Sequence, residues 1–133
     1  LEGRLVRVGE RIGHLGGFKF GASKHIARII LTAMKFDSEN RSAMNMKYFP
    51  EILELCSSLG FTIGTFNREE EPLQTTTMEW GTEYAINKLG KVPDIIYDTG
   101  SIGKEPMIRI LGKNPKDFLE KLKKIIAEFK SEK

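Results

Sequence analysis

The chain has 133 residues, a formal net charge of +3 and a single cysteine, which places it in the size range of one domain. A single cysteine excludes an internal disulfide framework, and with only two histidines in the chain there are too few ligands for a cysteine–histidine zinc site. No run approaches the roughly 18 apolar residues of a membrane helix and no signal-peptide pattern is present, so we expect a soluble, cytoplasmic protein without a membrane partner.

The charge excess is confined to the C-terminal segment. From Lys113 onward there are seven lysines against four acidic residues, whereas the preceding residues are balanced. Solvated lysines are the ordinary arrangement on a terminal helix, so the net charge does not predict direct binding to nucleic acid.

The first third of the chain predicts a strand followed by an amphipathic helix. "RLVRVGERIGHL", residues 4–15, alternates apolar and polar side chains as one strand does. The next predicted element is a helix from Lys24 to Phe36, with the Ser23 hydroxyl accepting a backbone N–H as its cap. Its predicted polar face consists of His25, Arg28, Thr32 and Lys35.

The remainder continues the alternation of strands and helices. "SAMNMKY" predicts a strand, and the helix after it begins at Pro50, contains Cys56 as a small buried thiol and stops at Gly60. "FTIGTF" predicts another strand, and "MEWGTEYAINKLG" a helix that a glycine ends. Two further strands, at 94–97 and 107–111, precede a C-terminal helix that Asn114 caps.

The pattern predicts an α/β domain with a mixed sheet and helices on both faces. Strands 94–97 and 107–111 are joined by too short a connection for a parallel crossover, so we expect them to be antiparallel. Several strands read as half-exposed, unlike the wholly apolar strands of a doubly wound parallel sheet.

Two loops on the N-terminal side are candidates for ligand binding. In "GGFKFGASKH", Gly21, Ala22 and Ser23 lead into a helix start, whose free N–H groups and dipole suit a phosphate or carboxylate; the alternative is an ordinary glycine turn. In "DSENRSAMNMKY", Arg41 is either a ligand group or half of a surface ion pair. Asn is depleted in strands, so the Asn45 side chain must either form hydrogen bonds within the protein or face a solvent-filled cleft.

Two later loops add carboxylates and cations. "FNREEEP" supplies Arg68 and Glu71 after a strand, either as a solvated loop or as a site where Mg²⁺ is shared with a phosphate. In "YDTGSIGKEP", Gly100 and Gly103 let the backbone turn and approach a ligand, Lys104 offers a cation and Asp98 a metal ligand; the alternative is a tight hairpin with internal ion pairs. Together the four loops suit phosphate or diphosphate held with Mg²⁺, and none contains a nucleophile paired with a base.

The chain resembles the archaeal-type thiamine-phosphate synthase (ThiN) family. The resemblance is carried, in order, by "FGASKHIARIILTAMKFD", "RSAMNMKY", "NREEEP", "EWG" and "VPDIIYDTGSIGKEPMIRILG". It implies a three-layer α/β/α fold with a mixed, mostly antiparallel sheet. It also implies an enzyme of thiamine biosynthesis that joins hydroxymethylpyrimidine diphosphate to phosphorylated hydroxyethylthiazole and releases pyrophosphate.

The resemblance also bears on the chain's context. We expect residues 1–133 to form one domain of a longer chain, lacking an N-terminal segment and fused in its relatives to a hydroxymethylpyrimidine-phosphate kinase. Whether the domain forms a homo-oligomer is left open. The same family includes domains joined to a DNA-binding helix-turn-helix, so a thiamine-phosphate sensor without catalysis is the alternative function.

Site roles follow from the resemblance and the loops together. By similarity, Arg4 and His25 match positions associated with activity. Our hypothesis assigns Arg4, Arg41 and Lys104 to the diphosphate with Mg²⁺, and the loop before the first helix, with His25, to the thiazole phosphate. The remaining substrate contacts are Asn45, Arg68, Asp98, Gly103 and Glu105, and the metal ligands are Asp98 and Glu71.

Overall fold

A computed structural model describes residues 1–132, and all structural statements below concern those residues. The strands are β1 (Leu5–Val8), β2 (Arg11–His14), β3 (Ser42–Lys47), β4 (Ile63–Thr65), β5 (Ile95–Asp98) and β6 (Met107–Gly112). The helices are α1 (Lys24–Phe36), α2 (Pro50–Ser58), α3 (Thr77–Leu89) and α4 (Pro115–Ser131), with a 3-10 turn at Arg68–Glu70.

The main sheet has four strands in the order β3-β6-β5-β4. β6 runs antiparallel to both of its neighbours, β3 and β5, whereas β4 and β5 are parallel. This confirms the predicted mixed, mostly antiparallel sheet and the antiparallel pairing of the two strands that follow residue 93.

Helices cover both faces of this sheet. One apolar cluster joins Ile29 of α1 and Ala85 of α3 to Ile96 and Leu111. The other joins Cys56 of α2 and Ile125 of α4 to residues of the opposite strand face. Because successive strand residues point to opposite faces, the largely apolar strand β6 serves both clusters, and the predicted three-layer α/β/α fold is confirmed.

The prediction of one strand over residues 4–15 is wrong. β1 and β2 form a separate antiparallel hairpin in which Val8 pairs with Arg11. Gly9 and Glu10 form the two-residue turn, and Gly9 has φ of 61°. Glycine at the first turn position supplies the positive φ of a tight hairpin, which continuous alternation conceals.

α1 has the predicted bounds but differs in two details. Ser23 is its N-cap residue, yet its side chain makes no capping hydrogen bond; the hydroxyl donates to the Leu1 carbonyl over 3.2 Å. Thr32, predicted on the polar face, is only 2% exposed. The reason is that α3 packs beside α1 and widens the buried stripe.

The predictions for the C-terminal helix and the cysteine are confirmed. The Asn114 side chain accepts from the Asp117 N–H over 2.9 Å at the start of α4. Cys56 is fully buried, and burial, with the nearby Asp94 carboxylate, raises its pKa to about 11. Among the described residues no helix is long and apolar enough to cross a membrane.

Candidate functional site

One face of the sheet changes from apolar to polar along its strands. Ile96 and Leu111 belong to the core under α1 and α3. Side chains two residues apart in a strand share a face, so Asn45, Asp98 and Arg109 continue this face beyond the apolar part. Asn45 stands directly opposite Arg109 in the β3–β6 pairing. Polar side chains at this end of the face therefore mark a site.

A cavity of about 360 Å³ lies at the start of α1. Its lining residues are Leu1, Gly3, Ala22, Ser23, Lys24, His25, Ile26 and Asn45. The positive end of a helix dipole and its free N–H groups favour an anion at this place. The structure thus brings together four predicted site residues, Ala22, Ser23, His25 and Asn45, while Gly21 with φ of 75° makes the turn before them.

Beside this cavity lies a buried ion cluster. The Asp98 carboxylate accepts from Arg68 Nε over 2.7 Å and from Arg109 Nη1 over 2.7 Å. The Gly100 N–H donates to the same carboxylate over 2.9 Å. Asp98 is wholly buried and Arg109 is 2% exposed. Burial lowers the pKa of the Arg109 guanidinium, and the Asp98 charge opposes that effect.

The turn that follows β5 is tied to two other segments of the chain. Ser101 and Lys104 form an isolated antiparallel bridge, and Gly103 has φ of 71°. Lys104 Nζ lies 3.8 Å from Glu71 Oε2, and Glu105 lies 3.9 Å from Arg4. Predicted residues from three loops are therefore neighbours, and the ion pairs of this turn are made to other segments rather than within it.

Arg41 lies elsewhere. Its backbone N–H donates to the Gly112 carbonyl and its Nε to the Ser38 carbonyl over 2.9 Å. It precedes β3 at the end opposite Lys47, about 13 Å along the strand from Asn45 at roughly 3.3 Å per residue. Its position therefore does not support the predicted contact with the diphosphate.

Comparison with known proteins decides the family. The family model described as thiamine-phosphate synthase ThiN matches residues 1–124. This chain belongs to the ThiN family.

Two relatives illustrate the breadth of the ThiN match. The chain is 48% identical over 131 residues to the bifunctional thiamine biosynthesis protein ThiDN of Methanocaldococcus jannaschii, covering 94% of this chain but only 29% of that protein. It is 34% identical over 136 residues to thiamine-phosphate synthase ThiN of Methanothermobacter thermautotrophicus, covering 98% of this chain and 72% of that one.

Two solved structures share the ThiN fold seen here. The crystal structure of the C-terminal domain of protein MJ0236 superposes with a TM-score of 0.91 at 43% identity, covering 98% of this chain and 72% of that one. The C-terminal domain of a phosphomethylpyrimidine kinase gives a TM-score of 0.85 at 42% identity, covering 93% and 72% respectively.

The predicted metal ligands of this ThiN domain do not form a metal site by themselves. Both Asp98 oxygens already accept charge-assisted hydrogen bonds from arginines, and Glu71 accepts from the Thr77 hydroxyl over 2.7 Å. No group of three or more His, Cys, Asp or Glu in residues 1–132 can hold a metal ion. The donor set therefore does not fit a protein-held Mg²⁺ at Asp98.

Sequence reasoning missed Arg109. A charged residue inside the apolar run "MIRILG" of a central strand is the available signal, because a buried arginine must be paired. Gly100 has φ of 75°, and a Cβ there would lie 2.4 Å from the Lys104 carbonyl oxygen. Gly100 was predicted to let the backbone turn, and the folded chain adds which atom it approaches.

Proposed function

We propose that this chain is a thiamine-phosphate synthase that joins hydroxymethylpyrimidine diphosphate to phosphorylated hydroxyethylthiazole and releases pyrophosphate. Membership of the ThiN family, together with a relative named for this activity that matches along 98% of the chain, supports the proposal. The single structural observation that carries it is the cavity at the start of α1, which is lined by Asn45, the residue opposite Arg109 of the cationic cluster.

The chemistry needs electrostatic stabilisation more than proton transfer. When the bond between the pyrimidine methylene carbon and the diphosphate breaks, positive charge grows on the ring and negative charge on the leaving oxygens, before the carbon bonds to the thiazole. Charges fixed in advance around those oxygens lower the barrier. Each charge-assisted hydrogen bond contributes about 1.5–3 kcal/mol, so a few cations account for a large acceleration.

Residues are assigned to the two substrates by position. Arg4, Arg68 and Lys104 would hold the diphosphate, since Lys104 and Glu105 tie the turn after β5 to Glu71 and Arg4. The N–H groups at the start of α1, with His25, would hold the thiazole phosphate. Asn45 would orient the pyrimidine between them.

Mg²⁺ enters this proposal as a companion of the substrate. It would neutralise charge on the diphosphate while keeping most of its ligands as waters, which is how Mg²⁺ commonly binds phosphates. Glu71 and Glu105 are the carboxylates that would contact its waters, and each lies near a cation of the chain itself.

The proposed context is a bifunctional, cytoplasmic biosynthetic protein. The relative ThiDN is bifunctional and matches over 29% of its length, which supports a place for this domain behind a pyrimidine kinase domain. One of the similar solved structures is itself a C-terminal domain of phosphomethylpyrimidine kinase, which supports the same arrangement. Assembly into a homo-oligomer stays a prediction.

Single-turnover formation of thiamine phosphate from both phosphorylated substrates with Mg²⁺ tests the proposal. Product formed at a rate proportional to enzyme concentration would support it. Calorimetric titration with thiamine phosphate runs in parallel. Tight binding without any turnover would contradict the synthase and favour a sensor of thiamine phosphate.

A further inference from the structure

The buried ion cluster carries an uncompensated positive charge. Two guanidiniums, Arg68 and Arg109, share the single carboxylate of Asp98, which leaves a formal charge of +1. Within residues 1–132, neither arginine forms an ion pair with any other carboxylate. Removing charge from water is costly unless an opposite charge compensates it, so this cluster is incomplete without an anion.

The cluster also contains an unpaired donor. Arg109 Nε is buried and has no hydrogen-bond partner among the described residues, although buried polar groups in proteins are nearly always paired. Two other neighbours of Arg109 carry no negative charge: the Phe66 ring lies 5.5 Å from the guanidinium carbon, and Ile96 is the residue paired with Arg109 on β5.

The cluster adjoins the cavity through one pair of strand residues. Asn45 stands opposite Arg109 and lines the cavity at the start of α1; its side chain makes no hydrogen bond within residues 1–132. Arg68 has 12% of its side chain exposed, against 3% for Arg109 and none for Asp98. Of the three charged groups, Arg68 is therefore the one that a ligand can contact from solvent, whereas Arg109 and Asp98 are closed to it.

We propose that Asp98 holds Arg68 and Arg109 as an anion subsite for the diphosphate of the substrate, in which Arg68 contacts the anion. Arg109 and Asp98 are positioning residues. Asp98 fixes Arg68 by two hydrogen bonds, of 2.7 Å from Nε and 3.3 Å from Nη2, so Arg68 Nη1 stays available for a phosphate oxygen. The inference rests on the proposed function for the identity of the substrate, and it assigns Asp98 a role other than metal binding.

Calorimetric titration with inorganic pyrophosphate tests the subsite directly. We expect Arg68→Gln to raise the Kd for pyrophosphate about 10- to 100-fold, the loss that follows when one charge-assisted hydrogen bond is removed. The matched control is Arg11→Gln, an exposed arginine on β2 outside the cluster, which should leave the Kd within about twofold. Unchanged affinity in Arg68→Gln would overturn the proposal, as would the absence of pyrophosphate binding by the unaltered chain.

Two further variants separate contact from positioning. Arg68→Lys keeps the charge while losing the planar fork, so we expect an intermediate Kd. Because Arg109 acts through Arg68, the single variant Arg109→Gln should weaken pyrophosphate binding. In the Arg68→Gln background the same change should cause little further loss of affinity, which a double-mutant cycle measures. Independent, additive losses would overturn the positioning role. If Arg109→Gln does not fold, Arg109→Lys replaces it in the same cycle.

Inorganic phosphate as a second probe distinguishes the two phosphorylated substrates. If the subsite binds the diphosphate, Arg68→Gln should raise the Kd for pyrophosphate more than the Kd for phosphate. An equal or larger rise for phosphate would overturn the assignment. The outcomes for the two proposals are separable. If pyrophosphate binding depends on Arg68 but no thiamine phosphate forms, only the synthase proposal is contradicted. If thiamine phosphate forms but Arg68→Gln leaves the Kd for pyrophosphate unchanged, only the subsite proposal is contradicted.

Discussion

Asn45 and Arg109 face each other across the β3–β6 pair, and neither side chain is hydrogen-bonded to the other. Asn45 lines the cavity at the start of α1, and Arg109 binds the buried Asp98 carboxylate. The pair therefore joins two parts of the site, one suited to a phosphate at a helix N-terminus and the other a cationic cluster between strands.

His25→Ala should reduce single-turnover formation of thiamine phosphate by about 10- to 100-fold, the loss expected for one hydrogen bond to a charged group. His25 is exposed and lines the cavity, so the fold should be unaffected. His14→Ala is the control, because His14 is the other histidine and lies exposed on β2. Equal rates for the two variants would contradict a role for His25.

Asp98→Asn should lower the free energy of unfolding by about 3–5 kcal/mol, because it leaves two largely buried guanidiniums without a counter-charge. Urea denaturation measures the change. Glu79→Gln, which breaks the exposed pair with Lys35 at 3.1 Å, is the control and should cost at most about 1 kcal/mol. Similar losses of unfolding free energy in the two variants would contradict the buried position of the Asp98 cluster.

Gly100→Ala and Gly103→Ala form a matched pair in the turn after β5. Both glycines have positive φ, so alanine is strained at either position by about 1–2 kcal/mol. A Cβ at Gly100 would also meet the Lys104 carbonyl oxygen at 2.4 Å, whereas at Gly103 nothing lies within 4 Å. Chemical denaturation should therefore show the larger loss for Gly100→Ala, and the reverse order would contradict the turn geometry.

Asp94→Asn should destabilise the protein at pH 7 by about 1–3 kcal/mol. Lys121 Nζ lies 2.9 Å from the Asp94 carboxylate, and the Thr62 N–H donates to it over 2.9 Å. Burial by itself would raise the pKa of Asp94, but these partners together hold it below 3.8.

The sign of the pH dependence follows from that lowered pKa. The contribution of Asp94 is complete above its unfolded pKa and is lost as the pH falls through the folded pKa. The difference between Asp94→Asn and the unaltered protein should therefore shrink below about pH 4, as urea unfolding at several pH values measures. Glu120→Gln, an exposed residue on α4, is the control, and an undiminished difference at the lowest pH where the protein stays folded would refute the assignment.

The Cys56 thiol should resist alkylation by iodoacetamide in the native protein at mildly alkaline pH. Its pKa of about 11 and complete burial leave very little accessible thiolate. Mass spectrometry should detect modification only after addition of denaturant. Rapid labelling of the native protein would show that α2 opens locally.

Much of the local structure was predictable because single residues determine it. The start of α2 at Pro50 and the cap of α4 at Asn114 follow from helix-start chemistry that operates within one turn, whereas α1 follows from the helical spacing of its apolar residues. The hairpin turn at Gly9 was missed, since regular alternation on both sides conceals a turn that one glycine makes.

By itself, the sequence determined the family, the α/β class and the loops that carry the site, because these depend on local spacing and on recognisable motifs. Only the tertiary structure decided which loops meet. Strand register sets Asn45 beside Arg109 and brings Arg109 to Asp98, the turn after β4 adds Arg68, and Arg41 is left at the far end of β3. Register depends on long-range pairing between strands, so the role of Arg109 and the engagement of Asp98 became visible only in the folded chain.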